Sequence, residues 1–316
     1  CLSELGHKVT CIDKDREKIN NLTNLKIPFY EKGLKKLIKK NYSKDRIKFS
    51  TKLSESFKDS KVIIIAVGTP FKKNVDLRYI RESTREVGNL LSQKLNNYKV
   101  ICIKSTVEPG TTAKIVKKIL EKESKKSCFS NFGLSMNPEF LAEGSAIKDF
   151  MFPDRIVIGS EDNKTKKIMH QMYSKFKHLD FIDTNLNTAE LIKYTSNSYF
   201  AMNISFANEI SKLSNLFKNV DVIDILKGLH LDKRLSPIKN NQRISPGLVS
   251  FLHPGIGFGG SCFPKDIKTI TSFAKRNNVT TPLLNSIITI NKNQYLKLFI
   301  AAEKNIKNYK NKNISV

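Results

Sequence analysis

The chain has 316 residues, of which 40% are hydrophobic and 9% aromatic, with 14 glycines and 10 prolines. This composition suits one large domain or two ordinary ones, and it excludes collagen, low-complexity disorder and coiled coils. The longest apolar run, 62–67, is far shorter than the roughly 18 residues of a membrane span, and no secretory pattern opens the chain. We therefore expect a soluble, cytoplasmic protein with no membrane partner.

The charge is strongly positive, because 55 basic and 29 acidic residues give +26. Such a field attracts polyanions, so a basic nucleic-acid-binding module is one hypothesis, and its binding would weaken steeply with salt. The lysines are nevertheless scattered, and the densest group has few aromatic neighbours: Lys32, Lys35, Lys36, Lys39 and Lys40. That pattern is typical of a solvated helix face. It argues against specific nucleic-acid binding, whereas a substrate carrying phosphate stays consistent with the positive field, which attracts any polyanion.

The five cysteines are Cys1, Cys11, Cys102, Cys128 and Cys262. Their odd number and wide spacing predict no disulfide framework and no zinc or other metal site, and they fit a reducing compartment. Cys11 and Cys102 fall inside apolar strand-like runs and are predicted core residues.

The first part of the chain alternates short β-branched runs with amphipathic stretches. The predicted strands are 8–12, 47–50, 62–67, 99–103, 133–136, 155–158 and 179–182, with helices between them such as 76–91 and 111–121. Apolar strands interleaved with helices predict a doubly wound parallel α/β sheet, in which ligands bind at the carboxyl ends of the strands.

Strand-like runs disappear after about residue 185. Helices are predicted at 188–216, 220–229 and 282–307, with a looped region at 231–260. We therefore expect an all-helical second domain, with domain limits of 1–186 and 187–310. A long helix leaving a sheet domain is a common dimerisation element, which suggests a homodimer.

Both ends of the chain look cut. Residues 1–6 read as the last turns of a helix with a glycine cap, followed at once by a strand that ends at Asp13. In dinucleotide-binding units such an acid binds the adenosine ribose about 20 residues after a glycine-rich turn, which would precede residue 1. Residues 311–316 are predicted to begin a strand of a further domain. The chain is thus expected to be a fragment.

The run after strand 133–136 carries two carboxylates. Asn137 is a good N-cap and Pro138 a good first helical residue, which places Glu139 and Glu143 on one face of a predicted helix. Two such acids could divide acid and base work between them. They could equally just complement the helix dipole.

Two further groups could carry chemistry. Lys193 and Asn197, four apart on the long helix, could stabilise an oxyanion or could be surface residues. The glycine-rich run 255–260 leads to Cys262, predicted at a helix N-terminus near Lys265, where a thiolate is favoured, with Asp266 one turn later. The alternative is a glycine turn with an inert cysteine.

Hydroxyls follow two of the predicted strands. Thr69 comes after strand 62–67, and Ser105 with Thr106 after strand 99–103. These side chains could hold a phosphate or a water, or could cap the next helix.

Together these motifs resemble the UDP-glucose 6-dehydrogenase branch of the nucleotide-sugar dehydrogenases. The resemblance rests on five ordered segments that span nearly the whole chain: 68–70, 105–107, 137–143, Lys193 with Asn197, and 257–266. It implies a Rossmann-like NAD-binding domain followed by a helical central domain. It also implies oxidation of a sugar C6 alcohol to a carboxylate with two NAD in turn, through a cysteine thiohemiacetal and thioester. Such a product would serve polysaccharide biosynthesis.

The resemblance also implies roles for individual residues. The catalytic positions are Cys262 as nucleophile, Lys193 as oxyanion stabiliser, Asn197 and Asp266 as its supports, and Thr106 and Glu139 for the hydrolytic water. The cofactor positions are Asp13, Lys18, Thr69, Thr106, Glu143 and Lys265. The substrate positions are Glu139, Phe140, Leu141, Ala142, Glu143, Lys193, Asn197, Phe251, Leu252, His253, Pro254, Gly255 and Gly259. An acid at Asp13 favours NAD over NADP, because it would repel a 2′-phosphate.

The chain departs from the family pattern in three respects: the glycine-rich turn and the nucleotide-closing C-terminal domain are missing, and the stretch 231–251 is unusually long. The chain by itself is therefore expected to be poorly active or inactive. Arg234 or Arg243, with Arg243 preferred, matches an arginine that reaches the neighbouring subunit. GDP-mannose and UDP-N-acetylhexosamine 6-dehydrogenases remain alternatives within the class, and a catalytically dead relative is disfavoured by the joint presence of Cys262, Lys193 and Asp266.

Overall fold

The computed structural model describes residues 1–72, 74–95 and 97–305. The chain forms two compact units, Cys1–Lys193 and a second that begins at Tyr194, and each has its own hydrophobic core. The division falls inside one long helix rather than at residue 186, because the first turns of that helix pack into the core of the first unit.

The described residues of the first unit form seven short strands. Each predicted strand is present, and its ends differ from the prediction by no more than two residues. The strands are β1 Val9–Ile12, β2 Ile47–Ser50, β3 Val62–Ile65, β4 Val100–Ile103, β5 Gly133–Met136, β6 Arg155–Gly159 and β7 Asp180–Thr184.

The pairing of these strands is mostly parallel, as predicted. β1 pairs with β2, and a five-stranded sheet has the order β3-β4-β5-β6-β7. The pairs β3/β4, β4/β5 and β6/β7 are parallel, whereas β5 meets β6 in an antiparallel contact between Met136 and Gly159. The sheet is therefore mixed at that one step, which the alternation of strands and helices did not indicate.

Helices connect the strands of the first unit. They are α1 Arg16–Thr23, α2 Leu34–Tyr42, α3 Ser54–Phe57, α4 Arg78–Ser92, α5 Lys117–Ser124, α6 Ala146–Met151 and α7 Asn163–Met172, with a π-helical turn at Thr112–Val116 before α5. Side-chain hydrogen bonds cap the N-termini of two of these helices, α1 and α7. Asp15 accepts a hydrogen bond from the Lys18 N–H at 3.0 Å, and Asp162 accepts one from the Thr165 N–H at 2.8 Å.

Strand β4 shows why helices cover both faces of the sheet. All four of its residues are fully buried; Ile101 and Ile103 pack into one core cluster, and Val100 and Cys102 into another. Alternate side chains point to opposite faces, so a strand that is apolar throughout needs cover on both. Burial raises the pKa of Cys102 to about 12. The structure confirms Cys102 as a core residue, whereas Cys11 is only half-buried.

The second unit is mainly helical. Its elements are α8 Leu186–Ser214, which starts in the first unit, α9 Val222–His230, α10 Phe263–Arg276 and α11 Pro282–Asn305. The predicted loop 231–260 contains a small hairpin, β8 Ile238–Lys239 with β9 Gln242–Arg243, and a 3-10 turn at Gly247–Phe251. The unit is therefore not purely helical. The predicted strand at 311–316 and the predicted last turn of α11 at 306–307 lie outside the described residues.

The described residues contain neither a bilayer-spanning helix nor a cluster of metal-ligating side chains. In that part of the chain no helix combines the length and apolarity that a bilayer crossing requires. Across the same ranges no group of three or more His, Cys, Asp or Glu side chains is placed to hold a metal ion.

Candidate functional site

The loops after β3 and β4 are joined by hydrogen bonds. The Thr69 hydroxyl donates to the Thr106 carbonyl at 2.8 Å, and the Ser105 hydroxyl donates to the Val67 carbonyl at 2.6 Å. Thr69 and Ser105 are buried and Thr106 is half-buried. Both loops follow the carboxyl ends of neighbouring parallel strands, the edge at which such sheets bind ligands. The predicted hydroxyl groups thus meet at one edge.

The segment after β5 is not helical, and the predicted helix carrying Glu139 and Glu143 is wrong. The first helix after β5 is α6, which begins at Ala146. The reason lies in Asn137, whose side chain is engaged by tertiary contacts. Its Nδ2 donates to the Val157 carbonyl at 2.8 Å, and its Oδ1 accepts from the Tyr173 hydroxyl at 2.6 Å. An asparagine held in this way cannot cap a helix.

Glu139 and Lys193 form a largely buried ion pair. Lys193 Nζ lies 3.1 Å from Glu139 Oε1, and the two side chains are 4% and 27% exposed. Glu139 Oε2 accepts the Leu141 N–H at 2.6 Å, and Lys193 Nζ also lies 5.3 Å from the centre of the Phe140 ring. Lys193 is therefore not a solvated surface lysine, and the segment 139–141 is folded around its ammonium group. Glu143 is exposed.

The predicted cysteine motif lies in the second unit, at the start of α10. Cys262 is the half-buried N-cap residue, and its Sγ lies 3.6 Å from the Ser261 hydroxyl oxygen. One turn later Asp266 is 1% exposed and accepts hydrogen bonds from Asn197 Nδ2 at 2.6 Å and Lys265 Nζ at 2.5 Å. The sequence motif thus becomes a thiol at a helix N-terminus above a buried, doubly paired carboxylate.

Asp13 follows β1, as predicted. Its carboxylate is paired with Lys18, and it accepts the Asp15 N–H at 3.1 Å. Partial burial alone would raise the pKa of Asp13, but the Lys18 hydrogen bond and the Asp15 N–H outweigh it and lower the pKa. Asp13 is therefore an ionised acceptor at neutral pH.

The predicted substrate loop in the second unit is anchored by aromatic contacts. The Phe251 ring stacks on Phe200 with centres 4.6 Å apart, and His253 packs edge-on against His230 at 5.3 Å. Leu252 is buried, while Pro254, Gly255 and Gly259 continue the loop, and a Cβ at either glycine would meet open space.

The two candidate arginines have different surroundings. Arg243 donates to the carbonyls of Leu231 and Ser236, each at 2.8 Å. The Arg234 side chain is 91% exposed and pairs with Asp232 at 2.6 Å. Arg243 therefore holds the loop of its own chain, whereas Arg234 projects into solvent.

Glu190 was missed by the sequence reasoning. It is fully buried on α8, and its carboxylate accepts the Gly110 N–H at 2.5 Å and the Thr112 N–H at 2.9 Å. Glu190 thus ties the helix of Lys193 to the loop that follows Thr106. The one available signal was an acid three residues before Lys193 on a buried helix face.

Glu190 is expected to make stability depend on pH. Burial raises its pKa from 4.5 to about 7, because desolvation outweighs the two accepted N–H bonds, and nearby Glu108 adds to the rise. Since the folded pKa is raised, the stabilisation is complete below about pH 4.5 and is lost as the pH rises through about 7. The free energy of unfolding of the native chain minus that of Glu190→Gln should therefore fall by about 3 kcal/mol between about pH 4 and pH 8.

Urea unfolding across that pH range measures this difference. Glu86→Gln on α4 is the control, because Glu86 is exposed and its replacement leaves the buried Glu190 in place. Parallel stability curves for the native chain and Glu190→Gln would contradict the assignment.

Comparison with known proteins gives the family. Residues 1–177 match the NAD binding domain of the UDP-glucose/GDP-mannose dehydrogenase family, and residues 187–293 match its central domain. A UDP-glucose 6-dehydrogenase of Bacillus subtilis (strain 168) is 40% identical over 296 residues, which cover 93% of this chain and 60% of the relative. A GDP-mannose 6-dehydrogenase of Pseudomonas savastanoi pv. phaseolicola is 36% identical over 301 residues, which cover 95% and 66%.

Solved structures agree. A UDP-glucose dehydrogenase from Pyrobaculum islandicum matches with a TM-score of 0.87 and 31% identity, covering 97% of this chain and 67% of that one. The chain spans 60% and 66% of the lengths of the two curated relatives. The match to the NAD binding domain confirms NAD as the predicted cofactor, and the sheet architecture confirms the predicted α/β fold. The chain therefore belongs to the UDP-glucose/GDP-mannose dehydrogenase family.

Proposed function

We propose that the whole protein carrying this chain oxidises UDP-glucose at C6 to UDP-glucuronate with NAD. The observation that supports this best is the arrangement at the start of α10, where Cys262 caps a helix whose first turn holds the buried Asp266 between Asn197 and Lys265. A buried carboxylate with two charge-assisted partners is costly to maintain without a purpose. The relative named UDP-glucose 6-dehydrogenase at 40% identity supports the choice of sugar.

NAD, when bound, accepts hydride from the substrate carbon. The protein's own residues would act between the two hydride losses. The Cys262 thiolate forms a C–S bond to the aldehyde carbon, and the resulting thiohemiacetal becomes a thioester when the second hydride leaves. Water then adds to the thioester, the C–S bond breaks, and the thiolate is regenerated. The carbon loses two hydrides in all, and water supplies the second carboxylate oxygen.

The charged and polar groups of the site would assist these reaction steps. Lys193 is held by Glu139 at 3.1 Å and its side chain is only 4% exposed, so solvent screens its charge weakly. It would stabilise the oxyanion of each tetrahedral species. Glu139 and Thr106 would position or deprotonate the hydrolytic water, and Asn197 with Asp266 would support the substrate end of the site.

The residues present fit an NAD site. Asp13 is an ionised acceptor at the end of a β-strand, suited to ribose hydroxyls and unsuited to a 2′-phosphate. Thr69 and Thr106 share a strand-end edge, and Glu143 is exposed on the following segment. Lys18 and Lys265 are the remaining proposed cofactor positions. Lys18 pairs with Asp13, and Lys265 with Asp266.

Substrate positions are proposed at 139–143, Lys193, Asn197, 251–255 and Gly259. An arginine from a second copy would complete the site, which makes a homodimer part of the proposal. The carbonyl bonds of Arg243 and the exposure of Arg234 favour Arg234 for that role, against the preference from sequence.

The test is an assay of the whole protein with UDP-glucose, GDP-mannose and UDP-N-acetylmannosamine. We expect UDP-glucose to give NADH and uronate in a ratio of two to one. NADH formation with only one of the other two sugars would overturn the choice of UDP-glucose. GDP-mannose is the stronger alternative substrate, because a relative named GDP-mannose 6-dehydrogenase is 36% identical to this chain.

A further inference from the structure

Three carboxamide side chains form hydrogen bonds to the loop 255–258, which precedes Cys262. Asn208 lies on α8, and Asn291 and Gln294 lie three residues apart on α11. Asn208 and Gln294 are buried and Asn291 is half-buried. All three belong to the second unit, as does the loop. None of them belongs to the motifs from which the function is proposed.

Asn291 forms two hydrogen bonds with one end of the loop, at Phe258. Its Oδ1 accepts the Phe258 N–H at 2.7 Å, and its Nδ2 donates to the Phe258 carbonyl at 2.9 Å. One side chain thereby satisfies both backbone groups of a residue, as a neighbouring strand would. Phe258 is further fixed by its ring, which packs edge-on against Phe263 with centres 6.0 Å apart.

Asn208 and Gln294 both form hydrogen bonds with the other end of the loop, at Gly255. Asn208 Oδ1 accepts the Gly255 N–H at 2.7 Å, and Gln294 Nε2 donates to the Gly255 carbonyl at 2.7 Å. Gln294 Nε2 also donates to Asn208 Oδ1 at 3.1 Å, which joins the two amides. Both backbone groups of Gly255 are therefore satisfied from two different helices.

Two features indicate that this fit is specific. Gly257 has φ +95°, and a Cβ there would lie 2.3 Å from Asn291 Oδ1, so only glycine allows the approach of Asn291. Gln294 Oε1 is buried without a hydrogen-bond partner among the described residues. An unpaired buried acceptor is destabilising, and such a loss is tolerated where the other polar atom of the same side chain makes a needed contact.

We propose that Asn208, Asn291 and Gln294 are positioning residues that fix the loop 255–258 and thereby the Cys262 thiol at the start of α10. The role of the thiol rests on the proposed function, whereas the hydrogen bonds that fix the loop do not. Cys262 follows Phe258 by four residues, so a loop free to move at Phe258 lets the nucleophile move as well. The first oxidation does not need the thiol, but capture of the aldehyde does.

The test variant is Asn291→Leu, which keeps the side-chain size and removes both bonds to Phe258. The matched control is Asn293→Leu on the same helix, because Asn293 is exposed. Gln294→Met is the second variant; it removes the donor to the Gly255 carbonyl and serves if Asn291→Leu does not fold.

Two measurements need no substrate. Hydrogen exchange at the Phe258 amide should quicken about tenfold or more in Asn291→Leu, as the loss of one hydrogen bond predicts. Alkylation of Cys262 relative to Cys11, followed by mass spectrometry, should rise at least about threefold, because the half-buried thiol becomes more exposed. If the exchange rate and the alkylation rate both equal those of Asn293→Leu, the proposal that these side chains fix the loop 255–258 is wrong, whatever the protein oxidises.

The third measurement addresses the reaction. If the thiol is misplaced, aldehyde escapes before capture, so the ratio of NADH to uronate should rise above two in Asn291→Leu. A variant that is merely less folded would lose NADH and uronate equally and keep the ratio at two. Quickened exchange with a ratio of two and an unchanged kcat would overturn the positioning role.

Discussion

Replacing Cys262 by alanine should reduce uronate formation by at least about a thousandfold, because no other group can hold the aldehyde as a covalent adduct. Cys262→Ser should have the same effect, since a serine hydroxyl is far less nucleophilic than a thiolate. The Cys262 side chain is half-buried and caps α10 without a side-chain hydrogen bond to the helix, so neither variant should disturb the fold.

Uronate is measured directly in the whole protein with UDP-glucose and NAD. Cys11→Ala is the matched control, because Cys11 is also half-buried and lies on β1 in the first unit. It should leave the rate unchanged. Undiminished uronate from either Cys262 variant would show that the nucleophile is misassigned.

Lys193→Met should lower kcat by about a hundredfold to a thousandfold, the usual loss when one oxyanion-stabilising group is removed. Stability should fall as well, because Glu139 keeps a carboxylate that is three-quarters buried and has lost its ion-pair partner. Both kcat and the free energy of unfolding therefore have to be measured.

A second substitution separates the two effects. Glu139→Gln combined with Lys193→Met removes both charges, so the double variant should regain stability relative to Lys193→Met but not activity. Lys268→Met on α10 is the control, because Lys268 is exposed. Full activity in Lys193→Met would exclude the lysine from the chemistry.

Much of the fold follows from local sequence. The β-branched run of β4 and the helical periodicity of α8 and α11 are encoded within single segments, so their positions were predicted to within a few residues. The order of the motifs identified the family for the same reason, since each motif is contiguous or spaced by one helical turn. Asp266 beside Lys265 and Asn197 beside Lys193 are examples.

Other features depended on residues that are distant in the chain. A capping motif at Asn137 predicted a helix, but Val157 and Tyr173 take up its amide, and the segment 137–145 does not become helical. Nothing in the local sequence marks Glu190, and the backbone N–H groups that it accepts, those of Gly110 and Thr112, lie 80 and 78 residues earlier in the chain. The sequence by itself determined where most of the strands and helices form and which family the order of the motifs indicates. The tertiary structure decided which polar side chains are buried together, because that depends on contacts between distant segments, such as the one between Asn208 and Gln294, which are 86 residues apart.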